Sequence, residues 1–342
     1  MIKSFSPTCS KKESAGKMRT IPYVQAINET LHQAIAGDER VFLIGAGVTT
    51  PWYVGGTTVG LLDRFGPERI IDTPVSENAV TGAAIGAALA GMRPILMHSR
   101  MDFMFYAMDQ IANQAANWYY MFGGQLSVPL TIWAIVNRGG EQAAQHSQSL
   151  QAMFTHIPGL KVVMPATPYD AKGLLLASIA DDNPVIYIDD RWLYEKTGEV
   201  PEEMFTVPLG KGIVRKDGKD VTLVATSYLV TEAIKAAATL EKEGIDVELI
   251  DPRSLKPLDE DLLLKSVKKT GRLVIADGGW KTAGIGAELA ALAVEKAFKY
   301  LKSPVGRVSL PDAPAPASPT LEKRYYPDAD SIAASVREIL KS

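Results

Sequence analysis

A chain of 342 residues, 46% hydrophobic and 22% charged, has room for two cores and too much apolar content for disorder. Its formal net charge of −3, with basic residues spread out rather than gathered in a stripe, argues against nucleic acid as the main partner. No apolar run reaches the ~20 residues of a membrane span. A single cysteine, Cys9, excludes an intrachain disulfide or a cysteine-based zinc site and fits a reducing, cytoplasmic setting.

Residues 1–17 carry charge but no apolar segment, which predicts a disordered tail rather than a secretory signal, with the folded part starting near Met18. From Arg40 onward, short apolar runs alternate with helical patterns. RVFLIGAG reads as a buried strand, VSENAVTGAAIGAALAGM as a helix and RPILMHS as a strand. DFMFYAMDQIANQAANWYYMFGG reads as one helix ended by glycines, before the strand VPLTIWAIV. Strand KVVMPAT, helix PYDAKGLLLASIADD and strand PVIYID complete a first set. Between about Arg191 and Gly210, Pro, Gly and charge mark an interdomain linker. A second set runs from DVTLVATS to VGRVSL, followed by the extended PDAPAPASP and a last helix near Ser331–Lys341. The alternation implies βαβ units. The fold class is therefore α/β, two domains with mainly parallel sheets, residues 18–205 (linker included) and 206–342.

GAGVTT (Gly45–Thr50) resembles the opening of a dinucleotide fingerprint, but the third glycine is missing and Pro51 and Trp52 interrupt the helix that should follow. No P-loop and no G-x-S-x-G elbow occur. IADGGWKTAGIGAELA offers a strand, a Gly-rich turn and a helix start that could cradle phosphate; a tight connection needing glycine for packing is the simpler reading.

In VSENAVTGAAIGAALAG one carboxylate, Glu77, stands ahead of a long run of small and apolar residues. Ser76 is expected to cap that helix, with Glu77 complementing its dipole by about 0.3–1 kcal/mol. Gly82, Gly86 and Ala90 lie four apart on one face, so a neighbouring element can approach closely. Apolar surroundings would partly desolvate Glu77 and suit it to sharing a proton with a weakly basic nitrogen.

The segment DTPVSENAVTGAAIGAALAGMRPI resembles the cofactor-facing part of the β subunits of 2-oxo acid dehydrogenase E1 components (pyruvate dehydrogenase E1 β-like), thiamine diphosphate enzymes of the transketolase-like superfamily. The similarity continues in order through MDQIANQAANWYYMFGGQLSVP, AAQHSQSLQAMFTHIPGLKVVMPATPYDAKGLL, DDNPVIYID and SPTLEKRYYPDAD, nearly everything after residue 18. It implies a transketolase-like pyrimidine-binding domain and a transketolase C-terminal domain. In that family the glutamate matching Glu77 bonds N1′ of the aminopyrimidine ring and so promotes deprotonation of the thiazolium carbon. Phe103 in MDFMF matches an aromatic that packs on the same ring. His146 in AAQHSQ matches a histidine that helps bind the 2-oxo acid or the acyl acceptor and manages protons. SIADDNP matches a loop that in some relatives holds a structural potassium ion, which implicates Asp181 and Asn183.

The superfamily anchors Mg²⁺ and pyrophosphate with Gly-Asp-Gly and, about 30 residues on, an asparagine, because a hard cation takes oxygen ligands. Here Asp217-Gly218 and Asp277-Gly278 are the nearest starts, and no asparagine follows Asn183. The chain is expected to hold half a cofactor site. The resemblance implies that the Mg²⁺ site lies on an E1 α-type partner, in an α2β2 heterotetramer in which β chains also touch, with acyl transfer to a lipoyl E2 carrier. Two departures from the family pattern fall on the substrate side: VNRGGEQAAQHSQ is short and carries Glu141, and MHSRMDF places His98, Arg100 and Asp102 where relatives are often less charged. They leave two alternatives open. One is the β-type half of a split transketolase-like enzyme that moves a two-carbon unit or forms a carbon–carbon bond; the other is a non-catalytic partner of another thiamine enzyme.

Overall fold

A computed structural model describes residues 17–50, 54–140 and 142–342. The expected tail up to residue 16, with Cys9, and the positions Pro51, Trp52 and Glu141 lie outside the described residues. Two compact units form, and they do not follow chain order: the first takes the chain to Asn137 and again Met153–Leu209, the second takes Arg138–Ala152 and Gly210–Ser342.

In the first unit the order is β1 (Met18–Pro22), α1 (Tyr23–Gly37), β2 (Val41–Gly45), α2 (Leu61–Phe65), β3 (Ile70–Asp72), α3 (Glu77–Leu89) and β4 (Arg93–His98). After α4 (Ala116–Met121) come β5 (Thr131–Val136), α5 (Gln151–His156), β6 (Lys161–Val163), α6 (Pro168–Ala180), β7 (Val185–Asp190) and β8 (Thr197–Pro201). Six parallel strands lie in the order β6-β7-β5-β4-β2-β3. Every residue of β2, β4, β5 and β7 is buried, as expected of parallel strands covered on both faces. That continuous burial is why they read from sequence as unbroken apolar runs.

The sequence expectation fails at two places. The single helix expected across residues 102–124 is three segments: a 3-10 turn over Met101–Ala107, a π-helical stretch over Asp109–Ala115, and α4. The Asn117 amide donates to the Ala112 carbonyl, five residues back, at 3.0 Å, which stabilises the wider turn where the regular ladder is interrupted. The expected linker also carries structure. A 3-10 turn (Arg191–Leu193) precedes β8, which pairs antiparallel with β1 from Met18↔Pro201 to Pro22↔Thr197. Helices α1 and α6 pack beside this ribbon. There the fully buried Lys172 pairs with Glu29 and donates to the carbonyls of Pro201 and Glu202 at 2.9 and 3.0 Å, so its charge is satisfied without water.

The second unit is a five-stranded sheet in the order β14-β13-β10-β11-β9: β14 (Gly306–Leu310), β13 (Leu273–Trp280), β10 (Val221–Ala225), β11 (Val247–Asp251) and β9 (Ile213–Lys216), with a short β12 (Ser254–Lys256) between β11 and β13 in the chain. Only β9 runs antiparallel to its neighbour. Helices α7 (Tyr228–Glu241), α8 (Glu260–Thr270), α9 (Ile285–Ala297), α10 (Pro319–Tyr325) and α11 (Ala329–Lys341) accompany it. The sequence missed α10, and α11 begins two residues earlier than expected, at an Asp328–Ser331 capping box.

Candidate functional site

At the C-terminal ends of β2 and β4 the first unit opens a pocket lined by Gly45, Thr73, Ser76, Glu77, Met97, His98, Arg100 and Phe103. Ligands of open parallel sheets bind at this end of the strands, because the crossing helices leave a crevice there. Gly45 is required by packing: a Cβ at that position would sit 2.4 Å from the Met97 carbonyl oxygen. The turn after it is held by the protein itself, since the Asp72 carboxylate accepts from the Gly47 N–H at 2.8 Å and from the Thr49 hydroxyl. The Gly47 N–H and the Thr49 hydroxyl are thereby engaged within the protein.

Helix α3 begins at Glu77. Ser76 makes no side-chain capping bond, contrary to expectation, because its φ of −161° and ψ of 66° carry it away from the helix start. The positive end of α3 is thus left to Glu77. That carboxylate is half-buried and neither hydrogen-bonds nor ion-pairs with any described residue. Phe103, from the 3-10 turn, is half-buried across the same pocket. A wider cleft of about 460 Å³ continues from it, lined by Val75, Ser76, Glu77, Asn78, Phe103 and Tyr106. Tyr106 is 71% exposed and was not singled out in the sequence, where nothing separates it from a core aromatic.

In the pocket wall, His98 is buried, with Nε2 3.4 Å from Thr81 Oγ1. Burial lowers its pKa to about 4, so its ring is neutral at physiological pH. Arg100 donates to the Ser99 carbonyl at 2.6 Å and brings a guanidinium to the pocket lining.

The Asp181–Asn183 loop is already supplied with cations. Lys161 pairs with the Asp181 carboxylate, and Arg93 pairs with Asp182 while donating to the Asp181 carbonyl at 3.0 Å. The second carboxylate oxygen of Asp181 accepts from the Asn183 N–H at 2.9 Å. Both carboxylate oxygens of Asp181 are thus engaged within the protein. Among the described residues no cluster of three or more His, Cys, Asp or Glu could hold a metal, and no helix is long and apolar enough to cross a membrane.

His146 belongs to the other unit. It lies half-buried in the loop Arg138–Ala152, where its N–H donates to the Ala143 carbonyl at 3.4 Å and Ala143 takes a φ of 58°. The structure therefore brings Glu77 and Phe103 together in the first unit and sets His146 in the second. In that second unit Asp277, the nearest start to a Gly-Asp-Gly cation site, is buried and takes hydrogen bonds from Gln151 (2.8 Å), Thr226 (2.9 Å) and the Gly279 N–H (3.2 Å).

Residues 19–196 match the transketolase pyrimidine-binding domain and residues 210–332 the transketolase C-terminal domain. The chain is 45% identical over 334 residues to an acetoin:2,6-dichlorophenolindophenol oxidoreductase subunit beta of Bacillus subtilis (strain 168), covering 94% of this chain and 98% of that one. It is 41% identical over 315 residues to the pyruvate dehydrogenase E1 component subunit beta of Rickettsia felis (92% and 97%), and 38% identical over 324 residues to the 2-oxoisovalerate dehydrogenase subunit beta of Bacillus subtilis (94% and 99%). Among solved structures, a split gene transketolase, described as an inactive beta4 tetramer, shares the fold with a TM-score of 0.78 at 24% identity, covering 94% of this chain and 98% of that chain. The chain belongs to the transketolase-like family of β subunits of thiamine diphosphate-dependent 2-oxo acid dehydrogenase E1 components.

Proposed function

We propose that this chain is the β subunit of an E1 enzyme that decarboxylates a 2-oxo acid on thiamine diphosphate and passes the acyl group to a lipoyl carrier of an E2 component. An α-type chain supplies the Mg²⁺–pyrophosphate half of the site, in an α2β2 assembly. Residues 18–205 serve as its pyrimidine-binding domain and residues 206–342 as its C-terminal domain. The single cysteine suits a cytoplasmic, reducing compartment.

One observation carries the reading: a half-buried carboxylate without a protein partner, Glu77, shares a pocket with an aromatic ring, Phe103. Those two groups fit the edge and the face of an aminopyrimidine. Bound there, the cofactor supplies a carbon nucleophile and an electron sink. Glu77 would hold such a ring through a hydrogen bond to one of its nitrogens and share a proton with it there. Phe103 sets the ring plane through its face. Arg100 offers a cation to an anionic substrate, and His146 handles protons on the substrate side.

In the co-purified αβ complex, Glu77→Gln is expected to lower turnover with an artificial electron acceptor by about 10²–10⁴-fold while the assembly elutes unchanged. Near-normal turnover would overturn the role of Glu77. A second reading rests on the identities: 45% and 47% to acetoin oxidoreductase β subunits against 38–42% to the pyruvate and 2-oxoisovalerate ones. In it the substrate is an acyloin such as acetoin. Reduction of the dye with acetoin but not with pyruvate or a branched-chain 2-oxo acid selects that reading; the reverse pattern selects the first.

A further inference from the structure

The His146 loop is closed at both ends by one buried polar chain. At its start, Arg138 donates to the Gly278 carbonyl at 2.9 Å and to Ser149 Oγ at 3.0 Å, with its guanidinium 4.6 Å from the centre of the Tyr228 ring. At its end, the Ser149 hydroxyl donates to Gln151 Oε1 at 2.6 Å, and Gln151 Nε2 donates to Asp277 Oδ1 at 2.8 Å. The donor and acceptor senses agree along the chain: the hydroxyl accepts from Arg138 and donates to Gln151, whose amide accepts at oxygen and donates from nitrogen. Arg138, Ser149, Gln151 and Asp277 are all at most 5% exposed. All belong to the second unit, as does the loop between them. A donor chain of this kind strengthens along its length, and leaving it incomplete is costly where no water can substitute.

The geometry points to Arg138, Gln151 and Asp277 as positioning residues through which the C-terminal domain sets the His146 loop. The inference rests on the role given to His146 above. It assigns the C-terminal domain a part in the reaction through this loop. The second half of β13, at Asp277 and Gly278, is the fixed point to which both ends of the loop are tied.

The test uses the αβ complex with Mg²⁺ and thiamine diphosphate. Gln151→Met keeps the side-chain shape and removes the bond to Asp277. It is expected to raise amide hydrogen exchange across residues 138–152 by at least tenfold, leave α9 unchanged, and lower kcat/KM on the order of tenfold without altering cofactor half-saturation. Placed on His146→Ala, the same change is expected to cause no further loss. Arg138→Lys, which keeps the charge, is expected to retain more activity than Arg138→Met. Unchanged loop exchange in Gln151→Met overturns the clamp whatever His146 does. A full additional loss on the His146→Ala background overturns positioning through His146. Wild-type activity of His146→Ala alone overturns the reading beneath it, and the exchange result still decides the clamp.

Discussion

Glu77 and Phe103 line one pocket from two different elements, helix α3 and the turn after β4. Local patterning gave Glu77 no more than a helix-dipole role and Phe103 no more than a core one; only the resemblance linked them. The allegiance of His146 was not legible even so, since its loop is tied to Asp277 and Gly278, which stand more than a hundred positions later in the chain. Two buried titratable groups of the first unit were equally invisible. Asp189 accepts from the Tyr194 hydroxyl at 2.8 Å and from Trp133 Nε1 at 3.2 Å, yet burial dominates and pushes its pKa up to about 7. A carboxyl raised on folding stabilises the fold fully below its unfolded value near 4, and that contribution is lost as pH rises through about 7. His98, lowered to about 4, does the opposite: its contribution is present above about 6.5 and is lost as pH falls through about 4. Each slope is at most about 1.4 kcal/mol per pH unit, and over pH 4.5–6 the two oppose each other. Urea unfolding at pH 4.5 and 6 is therefore expected to show a more positive change of stability with pH in Asp189→Asn than in the unsubstituted chain, and a more negative one in His98→Gln. Parallel slopes in the two variants would contradict this account.

Among the elements, buried parallel strands were the most readable, because β2, β4, β5 and β7 need apolar side chains at every position. The β1–β8 ribbon was not readable. Its strands are partly exposed, contain Thr, Pro and Glu, and are defined only by each other. Nor was the 3-10, π and α succession between Met101 and Met121, where the apolar spacing is that of an ordinary helix. Helix α3 makes a sharper test of element-level reasoning. A Cβ at Gly86 would meet nothing within 4 Å, whereas one at Gly82 would lie 3.3 Å from Gln110 Oε1. Gly86→Ala is thus expected to stabilise the isolated chain by about 0.5–1 kcal/mol, through reduced freedom of the unfolded backbone. Gly82→Ala is expected to gain less, because the Gln110 amide must move. Thermal melts of the two variants check the order.

For the whole molecule, the two-domain α/β architecture follows from the alternation of elements, but the compact units do not coincide with two halves of the chain. Residues 138–152 interrupt the first unit in sequence and belong to the second. A fragment of residues 210–342 therefore lacks Arg138, Ser149 and Gln151, and leaves the buried Asp277 carboxylate and the Gly278 carbonyl short of donors. Asp277 keeps the Thr226 hydroxyl and the Gly279 N–H, and each lost partner of a buried group costs about 1–3 kcal/mol, more where the group is charged. The fragment is expected to keep far-UV helical signal but lose fixed near-UV signal from Trp280 and its neighbours. A sharp, cooperative melt of that fragment at the temperature of the intact chain would count against the interdependence.

The order in which the ribosome delivers these pieces gives the interruption a temporal meaning. Synthesis reaches Gln151 126 positions before Asp277, an interval of about 6–25 s at ordinary elongation rates. By then β8 has emerged and can zip onto β1, so the first unit can close around its own core while the nascent chain is still tethered. The His146 loop cannot. It stays a hydrated tether until Asp277 and Gly278 arrive, so its two ends are tied down only late in translation.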